Sequence, residues 1–467
     1  MAKGWTVVLD VGKTRSKATL WDESAECKAV RSRPNRQLKS GTMLTLDCAR
    51  IEHWLKRVLT EYATLGPVTA IIPVAHGAGV ALIRGDRLRC APLDYEWSGV
   101  GVDRAAYDKQ RDSFAVTGSP ALPAGLNLGI QLHWLESLQS GDFRSGVIIP
   151  WAQYWAWLLS GILASEVTSL GCHTDLWKPY EFTPSALAVR RGWAERLAPL
   201  TPAGSVLGTL QPEWVQHTGL SSKVEIYCGL HDSNAALLDA RGHHAMKGHD
   251  ATVLSTGTWF IAMRSPLPSG QTRVEALPES RDCLLNVDAA GSPVPSSRFM
   301  GGREIEILAG TTVPPADNVV PIDAQASVVR AIEAGEMILP SGVPGVGPFP
   351  VSRRAHATMP RSHDIVALAH LYVALLADVS LDLIGSCDTV LVEGRFAQAP
   401  IFVRALAALR STTKILVSAD ENGVARGALR LANIRAASEA PLETASPLPV
   451  DIREYRQRWR EAAERAG

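Results

Sequence analysis

The sequence has no excess of charge of either sign. Lysine plus arginine and aspartate plus glutamate both number 47, so the formal charge at neutral pH is zero. A chain without net charge produces no long-range field that would attract nucleic acid or an anionic membrane. We therefore expect neither as a partner.

The sequence also has few features of a secreted or membrane protein. No run approaches the roughly 20 apolar residues of a membrane span, and the apolar stretch Thr6–Leu9 is too short for a signal peptide. The seven cysteines are odd in number and scattered, without a CxxC pair. Neither a zinc knuckle nor a disulfide framework is indicated, and reduced thiols predict a cytoplasmic protein.

The length of 467 residues is more than one hydrophobic core supports, so two domains are expected. An Arg-Gly-His-His segment interrupts the pattern between Asp239 and Asp250, and we place the boundary there, giving domains 1–243 and 244–467. The Pro- and Gly-rich segments 291–302 and 338–350 are interpreted as loops of a binding cleft. The tail from residue 450 reads as a charged helix or a frayed end without chemistry.

The hydrophobic pattern predicts a repeated α/β arrangement. Residues 5–12 and Lys17–Trp21 form a predicted hairpin with a glycine turn, and Thr252–Met263 form a second one. Alternating helices and strands follow each hairpin: a helix over 47–63 and a strand Val68–Ala75 after the first; a helix near 363–385, a strand Thr389–Glu393, a helix near 400–410, a strand Lys414–Ser418 and a helix near 424–437 after the second. The duplication indicates two related α/β domains.

The first polar turn is Asp10-Val11-Gly12-Lys13-Thr14-Arg15-Ser16-Lys17. Backbone N–H groups of such a turn can hold phosphate oxygens, Thr14, Ser16 and Lys17 add donors, and Asp10 suits a hydrated Mg²⁺. A Walker A loop is excluded because position 7, where that motif needs glycine, is Val. The alternative is an ordinary polar hairpin.

A second polar turn, Gly229-Leu230-His231-Asp232, follows an apolar strand and opens a helix. A carboxylate on a rigid turn can orient a hydroxyl for in-line attack on phosphorus, which makes Asp232 a candidate base. The alternative is that Asp232 or Ser233 only caps the helix. A third turn, Ser255-Thr256-Gly257-Thr258-Trp259, resembles the first in kind and is a candidate second phosphate clamp.

These turns, together with Glu393-Gly394 and Gly427-Ala428, occur in the order seen in FGGY carbohydrate kinases, which the chain resembles over nearly its whole length. The resemblance implies the actin/hexokinase-type fold, with two RNase H-like α/β domains flanking a central cleft. It implies a sugar-binding domain first and an ATP-binding domain second. The activity implied is transfer of the γ-phosphate of MgATP to a small sugar by a monomer or homodimer.

The resemblance also assigns roles by position. Asp232 corresponds to the catalytic base, and Asp10 to the metal-associated aspartate. The residues implied to hold ATP are Gly12, Thr14, Ser16, Lys17, Thr256, Gly257, Thr258, Gly302, Gly394, Arg395 and Gln398. Arg395 stands where the family usually has a second glycine, and Gln131 where it usually has lysine.

Sugar specificity is expected from loops of the first domain. His76, Gly77 and Ala78 follow a strand end, where ligands of α/β sheets tend to bind, and His173 lies in the polar run 166–175. Trp97 or Trp177 is a candidate aromatic wall. The acceptor class expected is a ketose such as L-fuculose, L-rhamnulose or a ketopentose, with the L-fuculose and L-rhamnulose kinases as the nearest members.

Two other functions fit parts of the pattern. A sugar-responsive binding protein could keep the fold and lose the chemistry, although it would not need Asp10, Asp232 and both turns. An actin-fold ATPase could act on a protein partner, although the polar run 166–175 favours a small polyol.

Overall fold

The structure is a computed structural model, and it describes residues 4–266, 277–310, 322–351, 365–420, 422–434 and 441–466. The chain forms two compact units. Unit 1 comprises Met1–Asp239, Leu285–Pro293 and Asn422–Glu439, and unit 2 comprises Ala240–Leu284, Val294–Glu421 and Ala440–Gly467. The assignment of sugar to residues 1–243 and of ATP to residues 244–467 stays a prediction.

The strands are β1 (Trp5–Val11), β2 (Arg15–Trp21), β3 (Cys27–Pro34), β4 (Gln37–Ser40), β5 (Met43–Leu46), β6 (Val68–Ala75), β7 (Val80–Arg84), β8 (Arg87–Cys90), β9 (Val147–Pro150), β10 (Trp177–Lys178), β11 (Thr183–Pro184), β12 (Val206–Thr209), β13 (Glu225–Tyr227), β14 (Leu230–His231), β15 (Ala251–Thr256), β16 (Phe260–Ser265), β17 (Cys283–Val287), β18 (Pro293–Phe299), β19 (Thr389–Gly394), β20 (Lys414–Ser418) and β21 (Leu442–Thr444).

The helices are α1 (Cys48–Leu65), α2 (Arg104–Asp108), α3 (Phe114–Thr117), α4 (Leu128–Leu138), α5 (Ser140–Arg144), α6 (Trp151–Ser160), α7 (Val167–Leu170), α8 (Ala186–Arg190), α9 (Pro212–Thr218), α10 (Asp232–Gly242), α11 (Gly301–Ala309), α12 (Ile322–Ala334), α13 (Ile365–Leu383), α14 (Pro400–Leu409), α15 (Gly423–Leu431) and α16 (Arg453–Ala466).

The main sheet of unit 1 has the order β12-β13-β6-β1-β2-β3, and β14 also pairs with β6. β1 is antiparallel to β2, as the predicted hairpin requires, and parallel to β6. Alternate residues of β1 enter different cores: Val7 packs with residues of α1 and α6, and Val8 with residues of α15. A strand covered on both faces is apolar throughout, which explains the continuous run in the sequence.

The main sheet of unit 2 has the order β17-β18-β16-β15-β19-β20-β21. Its hairpin, β15 with β16, is antiparallel, and β15 is parallel to β19 as β1 is to β6. Each unit therefore contains a hairpin whose first strand borders a parallel strand. The predicted α/β fold with two related domains is confirmed at the level of sheet topology.

The start of helix α1 and its buried face both follow from the local sequence. Asp47 caps it, its carboxylate accepting from the Arg50 N–H at 3.1 Å. Ile51, Trp54 and Leu55 are among the residues that bury one face. The helix predicted over 47–63 is confirmed.

Two predicted elements differ from the structure. Segment 291–302, predicted as a loop, contains β18 and the start of α11. Its polar residues are buried and bonded within unit 2: the Ser297 hydroxyl donates to the Ser380 carbonyl at 2.8 Å, and Arg298 donates to Asp282. The helix predicted over 424–437 ends at Leu431, before Asn433 with its left-handed φ of 57°; residues 435–437 lie outside the described residues.

The remaining loop and tail predictions agree with the structure. Segment 338–350 contains turns and bends and neither helix nor strand. The charged tail forms α16, which buries Tyr455, Trp459 and Ala463.

Among the described residues, one helix, α13, is long and apolar enough to cross a membrane by length and composition. This differs from the expectation that no run approaches a membrane span. The helix is 83% buried over its most apolar window, so its apolar residues form part of the core of unit 2.

Gly229 lets the chain pass close to β6 before it reaches β14. Its φ is 74°, and a Cβ there would lie 1.9 Å from the Pro73 carbonyl oxygen. Gly219 has a similar φ of 73° with nothing within 4 Å of its Cβ position. Any other residue at either position would be strained by the left-handed φ. Only at position 229 would its Cβ also clash with the backbone of β6.

We expect Gly219→Ala to lower stability by about 1–2 kcal/mol, the cost of a left-handed alanine. Gly229→Ala should cost roughly 1–3 kcal/mol more, because the new Cβ overlaps the β6 backbone. Urea denaturation of both variants beside the wild type measures the difference. Equal losses in the two variants would contradict the close approach to Pro73.

Candidate active site

Three strand ends bring the predicted chemical groups of unit 1 together. β1 and β14 both run parallel to β6, with Val11 opposite Ala75 and His231 opposite Ala75. Asp10, His76 and Asp232 consequently sit at one carboxyl edge of the sheet. Ligands of open α/β sheets bind outside this edge.

Asp232 opens α10 and is partly exposed, at 29% of its side chain. Its Oδ1 accepts from the Ser233 N–H at 2.6 Å and the Ser233 hydroxyl at 3.2 Å, and His231 Nε2 lies 3.2 Å away. Within the part of the chain that the structure describes, the contacts of this carboxylate fall on Oδ1. Oδ2 is therefore the oxygen available to a ligand.

Asp10 is a second carboxylate at the same edge. Burial and the negative charge of Asp232 raise its pKa to about 7, and Lys17 opposes the shift. Two carboxylates that repel each other favour a bound cation. No group of three or more His, Cys, Asp or Glu side chains among the described residues could hold a metal alone, but Mg²⁺ commonly takes one or two carboxylates with waters and phosphate oxygens.

Asn35 holds the Gly12–Ser16 turn. It accepts from the Ser16 hydroxyl at 2.9 Å, its side-chain amide donates to the Gly12 carbonyl at 2.8 Å, and its N–H donates to the Thr14 carbonyl at 2.8 Å. Ser16 is fully buried, whereas Thr14 is exposed. Ser16 therefore shapes the turn from inside, and Thr14 is the hydroxyl presented outward.

Two lysines flank this turn. Lys17 Nζ donates to Asn422 Oδ1 at 2.8 Å, within unit 1. Lys13 forms an ion pair with the buried Asp94 and lies 4.9 Å from the centre of the Tyr95 ring. Sequence reasoning used Lys13 only to reject a Walker A loop, and no sequence signal linked it to Asp94, 81 residues away.

His76 is half-buried beside two aromatic rings. Its ring centre lies 5.6 Å from that of Tyr95 and 6.2 Å from that of Trp151. Burial, Lys13 and His231 lower its pKa to about 3, so the ring is neutral. Both ring nitrogens are buried and have no hydrogen-bond partner among the residues described. Such groups cost free energy unless a ligand or water bonds them.

The aromatic residues in contact with His76 are not the two tryptophans that the sequence suggested as an aromatic wall. Trp97 packs against Trp134, and Trp177 against Phe182, each in a separate cluster. Tyr95 and Trp151 are the aromatic residues in ring contact with His76. Because they lie far from it in sequence, no local pattern indicated that they would be its neighbours.

Gln131 supports the segment that follows His76. Its side-chain amide donates to the Ala78 carbonyl at 3.1 Å and to the Gly125 carbonyl at 2.6 Å. Its amide therefore braces Ala78, which was predicted to bind substrate.

Most of the polar run 166–175, which was predicted to contact sugar, is bonded internally. Thr168 donates to Glu166 at 2.6 Å, and Asp175 is buried against Arg111 at 3.0 Å. His173 is half-buried, with Nδ1 2.5 Å from the Leu126 carbonyl. Buried polar groups need such partners, and a sequence does not show which ones they find.

In unit 2 the Thr256-Gly257-Thr258 turn joins β15 and β16. The Thr256 hydroxyl donates to the Glu393 carbonyl at 2.6 Å and accepts from the Phe396 N–H at 3.0 Å. Thr258 is exposed. A Cβ on Gly257 would meet only the Trp259 carbonyl at 3.7 Å, whereas one on Gly302 would lie 2.3 Å from the Gly257 carbonyl. Gly302 thus supports the turn by close packing, whereas a Cβ at position 257 would make only an ordinary van der Waals contact.

The segment after β19 lies against the same turn. Gly394 has a φ of 82°, and a Cβ there would lie 2.4 Å from the Thr256 carbonyl. The Arg395 guanidinium lies over Phe396, 5.3 Å from its centre, and Nη2 is buried without a partner among the residues described. Gln398 is exposed and donates to the Ala419 carbonyl at 3.3 Å.

Comparison with known proteins was made on sequence and structure. Residues 248–441 match the C-terminal domain of the FGGY carbohydrate kinases. A comparison with curated protein sequences gave no match. The structure is similar to that of a carbohydrate kinase from Novosphingobium aromaticivorans, with 48% identity, a TM-score of 0.89, and coverage of 98% of this chain and 100% of that one.

More distant structures share the fold alone. A xylulose kinase from Lactobacillus acidophilus has 14% identity and a TM-score of 0.77, with 99% of this chain and 96% of that one covered. The Plasmodium falciparum glycerol kinase has 14% identity and a TM-score of 0.75, with 99% and 98% covered.

The buried carboxyl of Glu166 is expected to make the stability of the protein depend on pH. It is fully buried, and burial raises its pKa from 4.5 to about 7. Below pH 4.5 both folded and unfolded states are protonated and no penalty exists. Between pH 4.5 and 7 the unfolded state ionises first, so stability falls as pH rises, by roughly 3 kcal/mol once both states are ionised.

Glu166→Gln keeps the oxygen that accepts from Thr168 and removes the ionisation. We expect its melting temperature to match the wild type near pH 4.5 and to exceed it at pH 8. Melting curves of both proteins across this range test the prediction. Parallel curves would show that the Glu166 carboxyl has the same pKa in both states.

Proposed function

The chain belongs to the FGGY family of carbohydrate kinases, and from this premise we propose that it transfers the γ-phosphate of MgATP to a hydroxyl of a small ketose. The family implies ATP as a substrate; the sugar, the metal and the residue roles are our proposal. The observation that carries it is the common sheet edge of Asp10, His76 and Asp232.

Asp232 is the proposed general base. Its partly exposed carboxylate would accept a hydrogen bond from the sugar hydroxyl through Oδ2 and orient it for attack. A bond forms between the sugar oxygen and the γ-phosphorus, and the bond from that phosphorus to the β–γ bridging oxygen breaks. The hydroxyl proton passes to Asp232, and ADP is the leaving group.

Asp10 is the proposed anchor for Mg²⁺, and the residues present fit the ion. Burial is the larger cause of its raised pKa of about 7, and the negative charge of Asp232 adds to it; a bound cation would offset the cost of ionising both carboxylates. Bound with ATP, Mg²⁺ neutralises charge on the phosphate chain. Lys17 and the backbone of the Gly12–Ser16 turn would hold phosphate oxygens, with Thr14 as an outward hydroxyl.

His76 is the proposed sugar contact. Its two nitrogens lack partners among the described residues, and its neutral ring offers one donor and one acceptor. Either nitrogen could therefore bond a sugar hydroxyl. Gly77 and Ala78 follow it on the same segment, and His173 is a further candidate.

The turns of unit 2 are the proposed nucleotide site. Gly257 leaves room for a phosphate to approach the backbone, with Thr256, Thr258 and Gly302 forming or supporting the turn. Gly394, Arg395 and Gln398 would contact the adenosine. The buried Nη2 of Arg395 needs an acceptor, which the nucleotide can supply.

The acceptor proposed is a ketose. Several solved structures similar to this chain are xylulose kinases, named for a ketopentose, and a gluconate kinase and a glycerol kinase are also similar. L-fuculose and L-rhamnulose remain candidates with the ketopentoses. A cytoplasmic location and a monomeric or homodimeric state also stay proposals.

Incubation with MgATP and a panel of ketoses, polyols and aldoses tests the function. We expect ADP release that depends on one or a few ketoses, with one phosphate transferred per ATP consumed. ATP hydrolysis that no sugar stimulates would overturn the proposal.

Asp232→Asn keeps the size of the side chain and the oxygen that accepts from Ser233, so folding should change little. We expect kcat to fall at least ~10²–10⁴-fold because no base remains, while the affinities for sugar and ATP change much less. Asp103→Asn, which alters an aspartate capping α2, is the matched control and should keep kcat. Near-normal turnover in Asp232→Asn would exclude Asp232 as the base.

Gly257→Val tests the nucleotide site. A Cβ at this position would make an ordinary contact, 3.7 Å from the Trp259 carbonyl oxygen, so a loss of ATP affinity in a variant with the wild-type melting temperature would indicate weaker ligand binding and not misfolding. We expect ATP binding, measured by calorimetry, to weaken by at least about tenfold with sugar affinity unchanged. Gly141→Val, at a glycine with open space, is the control. Unchanged ATP affinity in folded Gly257→Val would remove this turn from the site.

A further inference from the structure

We propose that Lys13 is a positioning residue for the sugar site and not a phosphate ligand: its ion pair with Asp94 holds Tyr95 in place beside His76. The inference rests on the proposed function, in which His76 contacts the sugar. Lys13 belongs to the turn proposed to hold phosphate, and an ammonium there would ordinarily be expected to bind ATP. Its contacts in the structure give it a different role.

The side chain of Lys13 is turned inward, unlike those of its neighbours. It is 12% exposed, whereas Thr14 and Arg15 are exposed. Its Nζ donates to Asp94 Oδ2 and lies 3.5 Å from Glu96 Oε2. The Asp94 side chain is fully buried, and a buried carboxylate that loses its cation strongly destabilises a protein. We therefore expect the pair to persist when ATP binds.

Asp94 in turn fixes the segment that carries Tyr95. Its Oδ1 accepts from the Glu96 N–H at 2.9 Å, and its own N–H donates to the Leu44 carbonyl at 2.9 Å. The Tyr95 carbonyl accepts from the Gly125 N–H at 2.8 Å. The backbone is thus held on both sides of the tyrosine, and Lys13 binds the carboxylate at the start of this segment.

The Tyr95 ring contacts both Lys13 and His76. The ammonium lies 4.9 Å from the ring centre, a cation–π distance. The His76 ring meets the Tyr95 ring edge-on, with centres 5.6 Å apart and an angle of 86° between the planes. Burial is the main cause of the lowered pKa of His76, and the charge of Lys13 adds to it. Lys13 therefore favours a neutral His76 ring packed in one orientation.

The segment that follows His76 is tied to the same tyrosine. The Gly125 carbonyl accepts from the Gln131 amide at 2.6 Å, and that amide also donates to the Ala78 carbonyl at 3.1 Å. Because the Gly125 N–H bonds the Tyr95 carbonyl, hydrogen bonds connect Tyr95 with Ala78. The ion pair of Lys13 links this sugar-binding set to the first turn.

The test is the double variant Lys13→Met/Asp94→Asn. It removes both charges, so no buried charge is left unpaired, and the asparagine oxygen can still accept from the Glu96 N–H. We expect the KM for an accepted ketose to rise by about tenfold, because a displaced His76 weakens ground-state binding of the sugar. The kcat and the KM for MgATP should change little. Steady-state kinetics with each substrate varied in turn measure all three.

Two variants serve as controls. Lys13→Arg keeps a cation opposite Asp94 and should keep the sugar KM of the wild type. Arg191→Met/Glu136→Gln removes another partly buried ion pair of unit 1 and should leave both KM values unchanged. Melting curves accompany the kinetics, because a purely structural role would reduce the amount of folded enzyme and thus the apparent kcat, without changing the KM of the molecules that remain folded.

The two substrates decide the outcome. A KM for MgATP that rises as much as that of the ketose, or more, would make Lys13 a phosphate ligand and overturn the inference. Unchanged KM values for both substrates in the double variant would also overturn it. Either result leaves the proposed function standing, whereas a wild type without ketose-dependent ADP release would overturn the proposed function and this inference with it.

Discussion

The arrangement of unit 1 depends on the parallel pairing of β6 with both β1 and β14. Because parallel strands share their carboxyl edge, this pairing places residues 10, 76 and 232 side by side although they lie far apart in sequence. The pairing with β14 requires the chain to pass within contact of Pro73, which only a glycine at position 229 allows. The chemistry of the site is thus a consequence of one sheet and one close approach.

Electrostatics at this edge follow from the same geometry. Asp10 and Asp232 are brought close enough for the charge of one to raise the pKa of the other. Around them, two histidines are kept neutral by burial. The edge therefore combines negative charge with neutral hydrogen-bonding groups, which is what the proposed metal ion and sugar would require. That combination is suited to a phosphate donor and an uncharged acceptor.

Several polar residues support the site without facing a ligand. Asn35 holds the first turn, Gln131 braces Ala78, and Glu166 acts through Thr168 on the backbone of His231. Each of the three is bonded to internal partners, because an unpaired polar group in the interior is costly, although Gln131 Oε1 and Glu166 Oε1 are buried without a partner among the described residues. Density of polar residues in a sequence therefore does not separate ligand contacts from internal supports.

The sequence by itself determined the hairpins, the alternating α/β order and the three polar turns, because glycine turns and hydrophobic periodicity are local properties. It also indicated Asp10, His76 and Asp232 as candidate site residues, since each directly follows or ends an apolar strand. Only the tertiary structure decided that 291–302 contains a strand and the start of a helix, that α15 packs in unit 1, and that Tyr95 and Trp151 rather than Trp97 or Trp177 flank His76. It also decided that Lys13 pairs with Asp94. These outcomes depend on contacts between residues distant in sequence, which no local pattern records.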